Sequence, residues 1–306
     1  LNKLSLVSKV LQDRPPEEVI DVAAGSGYDG VEWFCLPQHL PPDTPLSRAR
    51  ELASRTRDAG LRTACLSTYA GGFADLPDDA GERQLEDFLR YVELATLFDC
   101  PLLRIWPDAM GRSLREPVPE PVLERVATYL RRAADGAARE GRRVAVEMHL
   151  TIGADAACVA LLLDLVDRPT AGVIYDPANL YLAGRPYRLG ADPRLAALAG
   201  RIFHAQLKDG DLGRPTPPHL AGEPTLRFGG DFDLLLGEGR VDLRGALADL
   251  GAAGYRGWYS VETHALPRPG LDSAAIAAGE IHTLRRLLGA PGRARLKALD
   301  APGTGV

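Results

Sequence analysis

A chain of 306 residues and 32.9 kDa, 45% hydrophobic, carries enough apolar material for one large α/β domain or two ordinary ones. Its net charge is −5, with arginines and acids interleaved rather than blocked, which speaks against the basic face that nucleic-acid binding needs. No apolar run approaches the roughly 20 residues of a membrane span, and four cysteines (Cys35, Cys65, Cys100, Cys158) without metal-like spacing read as reduced packing thiols of a cytoplasmic protein.

Strands and helices alternate from end to end, the pattern of a parallel sheet with covering helices. Leu1–Val7 is too short for a signal peptide, and Lys3–Ser8 reads as a first strand. Pro15–Ser26 is a helix with proline in its first turn. Gly30–Cys35 is the second strand, Pro45–Ala59 the second helix and Leu61–Thr68 the third strand. A glycine-rich loop through Gly71 and Gly72 leads to a helix over Gly81–Phe98. Pro101–Trp106 is the fourth strand and Pro119–Glu140 a long helix rich in Arg and Ala. Arg142–His149, Thr170–Asp176 and Arg201–Lys208 are strands five to seven, with helices over Asp155–Val166 and Pro193–Ala199 between them. After a helix over Leu243–Ala253, the eighth strand is Trp258–Thr263, and Ser273–Leu288 closes the set.

This count fits a single (β/α)8 TIM barrel over residues 1–288, with a loosely ordered tail at 289–306. An open doubly wound sheet is the alternative, but the first turn has no Gly-x-Gly-x-x-Gly. The Gly210–Arg240 connection is long enough to be functional, and its His219, Arg227, Phe228 and Phe232 could close over a ligand.

Two strands end alike. Val144-Ala145-Val146-Glu147-Met148-His149 and Ser260-Val261-Glu262-Thr263-His264 each finish in Glu-x-His, and alternation puts both polar residues of each pair on one side. In a barrel, polar residues at the C-terminal strand ends converge on one site. The sixth strand adds Asp176 where its apolar run stops, and the seventh puts His204, Gln206 and Lys208 on one face. Three buried acids, Glu147, Asp176 and Glu262, would be costly without compensation, and a divalent ion neutralises two of the three charges. Arg104, inside an apolar strand, is expected to face the mouth with Trp106, His149, His264, Lys208 and His204 as substrate contacts. Trp33 and Tyr69 are read equally as pocket wall or ordinary packing, and Glu32 as a fixed structural acid.

These residues resemble the xylose isomerase-like TIM barrels, a superfamily that includes sugar epimerases and isomerases, inosose and 3-dehydroshikimate dehydratases, and endonuclease IV. The resemblance covers Lys3 to Leu288 and is carried by Gly27-Tyr28-Asp29-Gly30-Val31-Glu32, Val146–His149, Asp176-Pro177-Ala178-Asn179, His204–Asp209, Gly237-Glu238-Gly239 and Ser260–His264. It implies one metal held by Glu147, Asp176, Gln206 and Glu262. Two positions depart from the pattern. Gln206 stands where a histidine is usual, as in some members similar to dehydroshikimate dehydratases, and Asn179 replaces the histidine of Asp-x-x-His. His204 is the alternative seventh-strand ligand, one strand repeat deeper.

An all-oxygen ligand set favours one hard divalent cation, Mn²⁺ or Mg²⁺, with Co²⁺ or Zn²⁺ as alternatives. The matching stretches lack the further histidines of an endonuclease IV cluster. A metal between Glu147 and Glu262 suggests proton transfer next to a carbonyl, through an enediolate, on a small polyhydroxylated ketone or sugar. The expected function is therefore a metal-dependent ketose epimerase or isomerase with Glu147 and Glu262 as its acid and base. A lyase on the same scaffold, either a dehydratase or a C-glycoside-cleaving subunit, is the second reading, and a sugar-binding barrel the third. The expected partner is the small substrate, with neither nucleic acid nor membrane, and a homo-oligomer or partner subunit is left open.

Overall fold

A computed structural model describes residues 3–108, 118–149, 152–222 and 229–289. Eight parallel strands close into a barrel: β1 (Lys3–Val7), β2 (Gly30–Phe34), β3 (Arg62–Gly71), β4 (Leu102–Trp106), β5 (Arg143–Glu147), β6 (Ala171–Tyr175), β7 (Ile202–Leu207) and β8 (Trp258–Val261). Each pairs with the next, and β8 returns to β1 through Ser5 opposite Ser260. The strands are apolar almost throughout because both faces are covered. The fold is a (β/α)8 TIM barrel, as the alternation of elements predicts.

Helices α1 (Pro16–Ser26), α2 (Leu46–Asp58), α3 (Asp78–Leu97), α4 (Glu120–Arg139), α5 (Ala156–Val166), α6 (Pro177–Leu182), α7 (Pro193–Ala197), α8 (Leu243–Ala252) and α9 (Ser273–Leu287) cover it. Along α4, Leu123, Val126, Ala127, Leu130 and Ala134 recur at three- and four-residue spacing and are buried, whereas the intervening arginines face outward. Two features depart from the sequence reading. The short helix α6 was not expected, because its apolar run merges with the strand before it; Asp176 starts it by accepting the Ala178 and Asn179 N–H groups with Oδ1, at 2.9 and 3.0 Å. Strand β3 also runs on to Gly71, whose φ of 143° and close approach to the Trp106 carbonyl leave no room for a side chain.

Alternation along the strands stacks the inward side chains in layers. At the bottom Cys65, Leu102, Ala145 and Ile174 form a small apolar plug. Above it lies a buried polar layer of Glu32, Ser67, His204, Gln206 and Ser260. One strand repeat higher, at the C-terminal mouth, are Arg104, Glu147, Asp176, Lys208 and Glu262. The four cysteines are free thiols, three of them buried. Among the described residues no helix is long and apolar enough to cross a membrane. The expected C-terminal tail from 290 onward lies outside the described residues.

Candidate active site

The carboxylates of Glu147, Asp176 and Glu262 come together from the ends of β5, β6 and β8, each buried, with one oxygen of each within 4.8 Å of the others. Three acids so close repel one another, and the surrounding groups compensate. Arg104, buried in the middle of β4, donates to Glu147 Oε2 at 2.5 Å. The Lys208 ammonium stands 2.7 Å from Asp176 Oδ2 and 3.4 Å from Glu262 Oε2. Asn179, on the first turn of α6, donates to Glu147 Oε1 at 2.9 Å, so the asparagine in place of the family histidine secures an acid. His264 Nε2 faces Glu262 Oε1 at 3.4 Å, and its Nδ1 faces Lys9 at the same distance.

Burial opposes ionisation and raises the carboxyl of Glu147, and pushes that of Asp176 up to about 7. Burial would raise Glu262 too, but Lys208 and His264 outweigh it and hold this acid below the usual range. Burial pushes His149 well below the ordinary imidazole value, and the Lys208 charge adds to the effect. His149 is therefore a neutral imidazole, edge-on to Trp106 with ring centres 5.0 Å apart, and its buried Nδ1 has no hydrogen-bond partner.

A pocket of about 460 Å³ opens above these groups. Arg104, Trp106, Glu147, His149, Lys208, Glu262 and His264, all expected at the site, line it. Its wall is aromatic. The Arg104 guanidinium lies over Phe34, Tyr69 and Trp106 at 4.5, 5.0 and 4.9 Å from the ring centres. Trp33, read as wall or packing, is buried in the core between His39 and Phe98. Lys9, on the turn after β1, lines the pocket unannounced by any motif, and so does Phe34 at the end of β2.

His204 needs correcting. Expected to touch substrate, it is fully buried one repeat deeper, with Nε2 2.7 Å from Glu32 and 2.9 Å from Ser260, and does not line the pocket. Gln206 meets the same buried acid: its Nε2 donates to Glu32 at 2.6 Å, while its Oε1 is buried and unpartnered. Of the long β7–α8 connection, His219 and Phe232 line the pocket as expected, whereas Arg227 and Phe228 lie outside the described residues. The connection is not structureless: Asp211 and Asp231 exchange backbone hydrogen bonds, and Asp209 accepts from the Gly237, Gly239 and Val241 N–H groups.

The three converging buried carboxylates could hold a divalent ion between them. The model of the xylose isomerase-like TIM barrel matches residues 20–287. The chain belongs to this family. A curated relative in sequence, 3-dehydroshikimate dehydratase of Pseudomonas aeruginosa, is 29% identical over 289 residues, pairing 93% of this chain with 41% of that protein. The chain thus spans about two fifths of the length of that curated relative. Among solved structures of this fold, the IOLI protein with a bound zinc atom superposes with a TM-score of 0.76 at 18% identity, over 94% of this chain and 98% of that one. D-allulose 3-epimerase from Methylomonas sp. follows at 0.73 and 17%, over 94% and 99%. Both enzyme classes anticipated from the sequence, epimerase and dehydratase, thus occur among the proteins this family member is similar to.

Proposed function

We propose that this protein is a metal-dependent lyase that removes water from a cyclic β-hydroxy ketone carrying a carboxylate, of the 3-dehydroshikimate kind. The observation that carries this reading is the contrast between His149 and the two glutamates. Glu147 is held by Arg104 and Asn179, and Glu262 by Lys208 and His264, so neither is a free base. His149 lines the pocket, and its buried Nδ1 has no hydrogen-bond partner. One base suits an elimination, whereas epimerisation through two opposed acids asks both glutamates to exchange protons. The curated relative's name supports the same order.

Glu147, Asp176 and Glu262, with Gln206, would hold the ion. When bound, it supplies Lewis-acid polarisation of the substrate carbonyl and stabilises the negative charge that builds there. His149 takes the proton from the carbon next to the carbonyl, and the electron pair moves into the enolate. As the carbonyl re-forms, the bond from the β-carbon to its hydroxyl breaks. The His149 imidazolium returns the proton to the departing oxygen, so water leaves and a conjugated enone remains. Phe34, Tyr69 and Trp106 offer flat surfaces to a ring that becomes planar as it loses water. From 3-dehydroshikimate, loss of one water and enolisation give an aromatic dihydroxybenzoate.

A second reading keeps the ketose epimerase, because Glu147 and Glu262 reach one point from the non-neighbouring strands β5 and β8. Mn²⁺-loaded protein with 3-dehydroshikimate, followed by ultraviolet absorbance, decides between them, alongside a ketose panel in D₂O. Growth of an aromatic band is expected. Silence there, with deuterium entering a ketose next to its carbonyl, would transfer the assignment to the epimerase.

A further inference from the structure

The polar layer beneath the acids has a direction. Glu32 is fully buried, and its two oxygens meet Gln206, Ser67 and His204. Carboxylate oxygens met by N–H and O–H groups accept hydrogen bonds. Glu32 Oε1 takes the Gln206 amide N–H at 2.6 Å and the Ser67 hydroxyl, and its Oε2 faces His204 Nε2 at 2.7 Å. A side-chain amide has one donor end and one acceptor end. With the donor end committed to Glu32, the acceptor end must be the one turned away from it, and that oxygen is buried and unpartnered. An unpaired buried carbonyl is unfavourable, and a cation beside it would offset that cost. Lys208, one strand repeat further along the same face of the chain, reaches Asp176 and Glu262. Gln206 therefore belongs to the Glu32 network directly beneath the acids.

We propose that Glu32 is a positioning residue for the metal site: it fixes the polarity of the Gln206 amide so that its oxygen, not its NH₂ group, is offered to the ion beside Glu147, Asp176 and Glu262. The inference rests on the reading of Gln206 as a ligand and adds what makes it one. It also accounts for the residue type. A glutamate at 206 would set two carboxylates at hydrogen-bond distance, whereas glutamine donates downward to an acid and accepts upward from a cation. Were Glu32 an amide, either end of Gln206 would be satisfied below, and half of the arrangements would aim NH₂ at the metal.

The test is direct titration of the stripped protein with Mn²⁺, read as free Mn²⁺ by electron paramagnetic resonance, with circular dichroism as the check on folding. Glu32→Gln, which keeps the shape, should weaken Mn²⁺ binding about 10- to 100-fold, the range for loss of a group that orients a ligand. Gln206→Ala should weaken it comparably. The double variant Glu32→Gln with Gln206→Glu reverses the polarity of the pair and returns an anionic acceptor to the site, so it should recover wild-type affinity or better, even where Glu32→Gln alone folds poorly. Weaker binding in Gln206→Ala, with Glu32→Gln within twofold of wild type, would overturn the positioning role alone. Unchanged binding in Gln206→Ala would overturn the ligand reading beneath it. A folded double variant that stays weak would also overturn the positioning role, by assigning the loss to packing.

Discussion

Strands β2–β4 and strands β5–β8 meet at one mouth but bring opposite materials to it. The first group builds a wall, Phe34, Tyr69 and Trp106 around Arg104. The second brings every carboxylate of the cluster, together with Lys208. The seam between them is the buried Arg104–Glu147 pair. In such a division, damage to the acid side should remove the chemistry, damage to the wall should loosen substrate, and damage to the seam should cost the fold.

The largest effect is expected on the acid side. Asp176→Asn keeps a side-chain oxygen to cap α6 but removes the charge facing Lys208. Metal content by mass spectrometry should fall from one ion per chain to a small fraction, and turnover by about 10²–10³-fold or more. Retained stoichiometry would dissolve the distinction between the halves. His149→Asn should lower kcat by about 10²–10⁴-fold, typical for a lost general base, while metal content stays at one. Unimpaired turnover there would return the proton transfer to Glu147 and Glu262.

At the seam, Arg104→Met strands a buried carboxylate, and breaking a buried pair this way costs about 3–5 kcal/mol. Urea unfolding should show a loss of that order in the stripped protein, partly recovered with Mn²⁺, which would again compensate Glu147. On the wall, Trp106→Leu should raise KM about two- to tenfold with kcat little changed, the worth of one aromatic contact. A fall in kcat instead would show that the wall also places the imidazole of His149, 5.0 Å away.

The pH dependence separates the halves more gently. Burial pushes Asp176 up to about 7, above its value in the unfolded chain. The sign follows from which state holds the proton. The folded, metal-free protein keeps it more tightly, so this group's contribution to stability is complete below about pH 4 and lost as pH rises through about 7. Metal binding runs the other way, because the ion must displace the proton. Apparent Mn²⁺ affinity should fall below pH 7, by up to about tenfold per unit, with proton release measurable in unbuffered solution.

Legibility in the sequence was uneven in the same way as the chemistry. The acid side was readable because each carboxylate ends an apolar run, an arrangement with few structural explanations other than a barrel mouth. Arg104 stood out for the same reason, and its inward orientation follows from alternation. The wall was less readable: Tyr69 reads equally as pocket wall or core aromatic until β3 is seen to extend to Gly71, against the Trp106 carbonyl. His204 and Gln206 share one face, and alternation alone could not say which layer each reaches.

The sequence by itself determined the eight-strand barrel, the shared faces of the polar residues at its later strand ends and the three acids, because these follow from periodicities of two and 3.6 residues and from local strand ends. Only the tertiary structure decided how the charges are matched. Asn179 on Glu147, Lys208 between Asp176 and Glu262, and Glu32 beneath Gln206 join residues 32 to 174 positions apart. Such pairings depend on the register in which distant strands close the barrel, and no local pattern in the chain encodes that register.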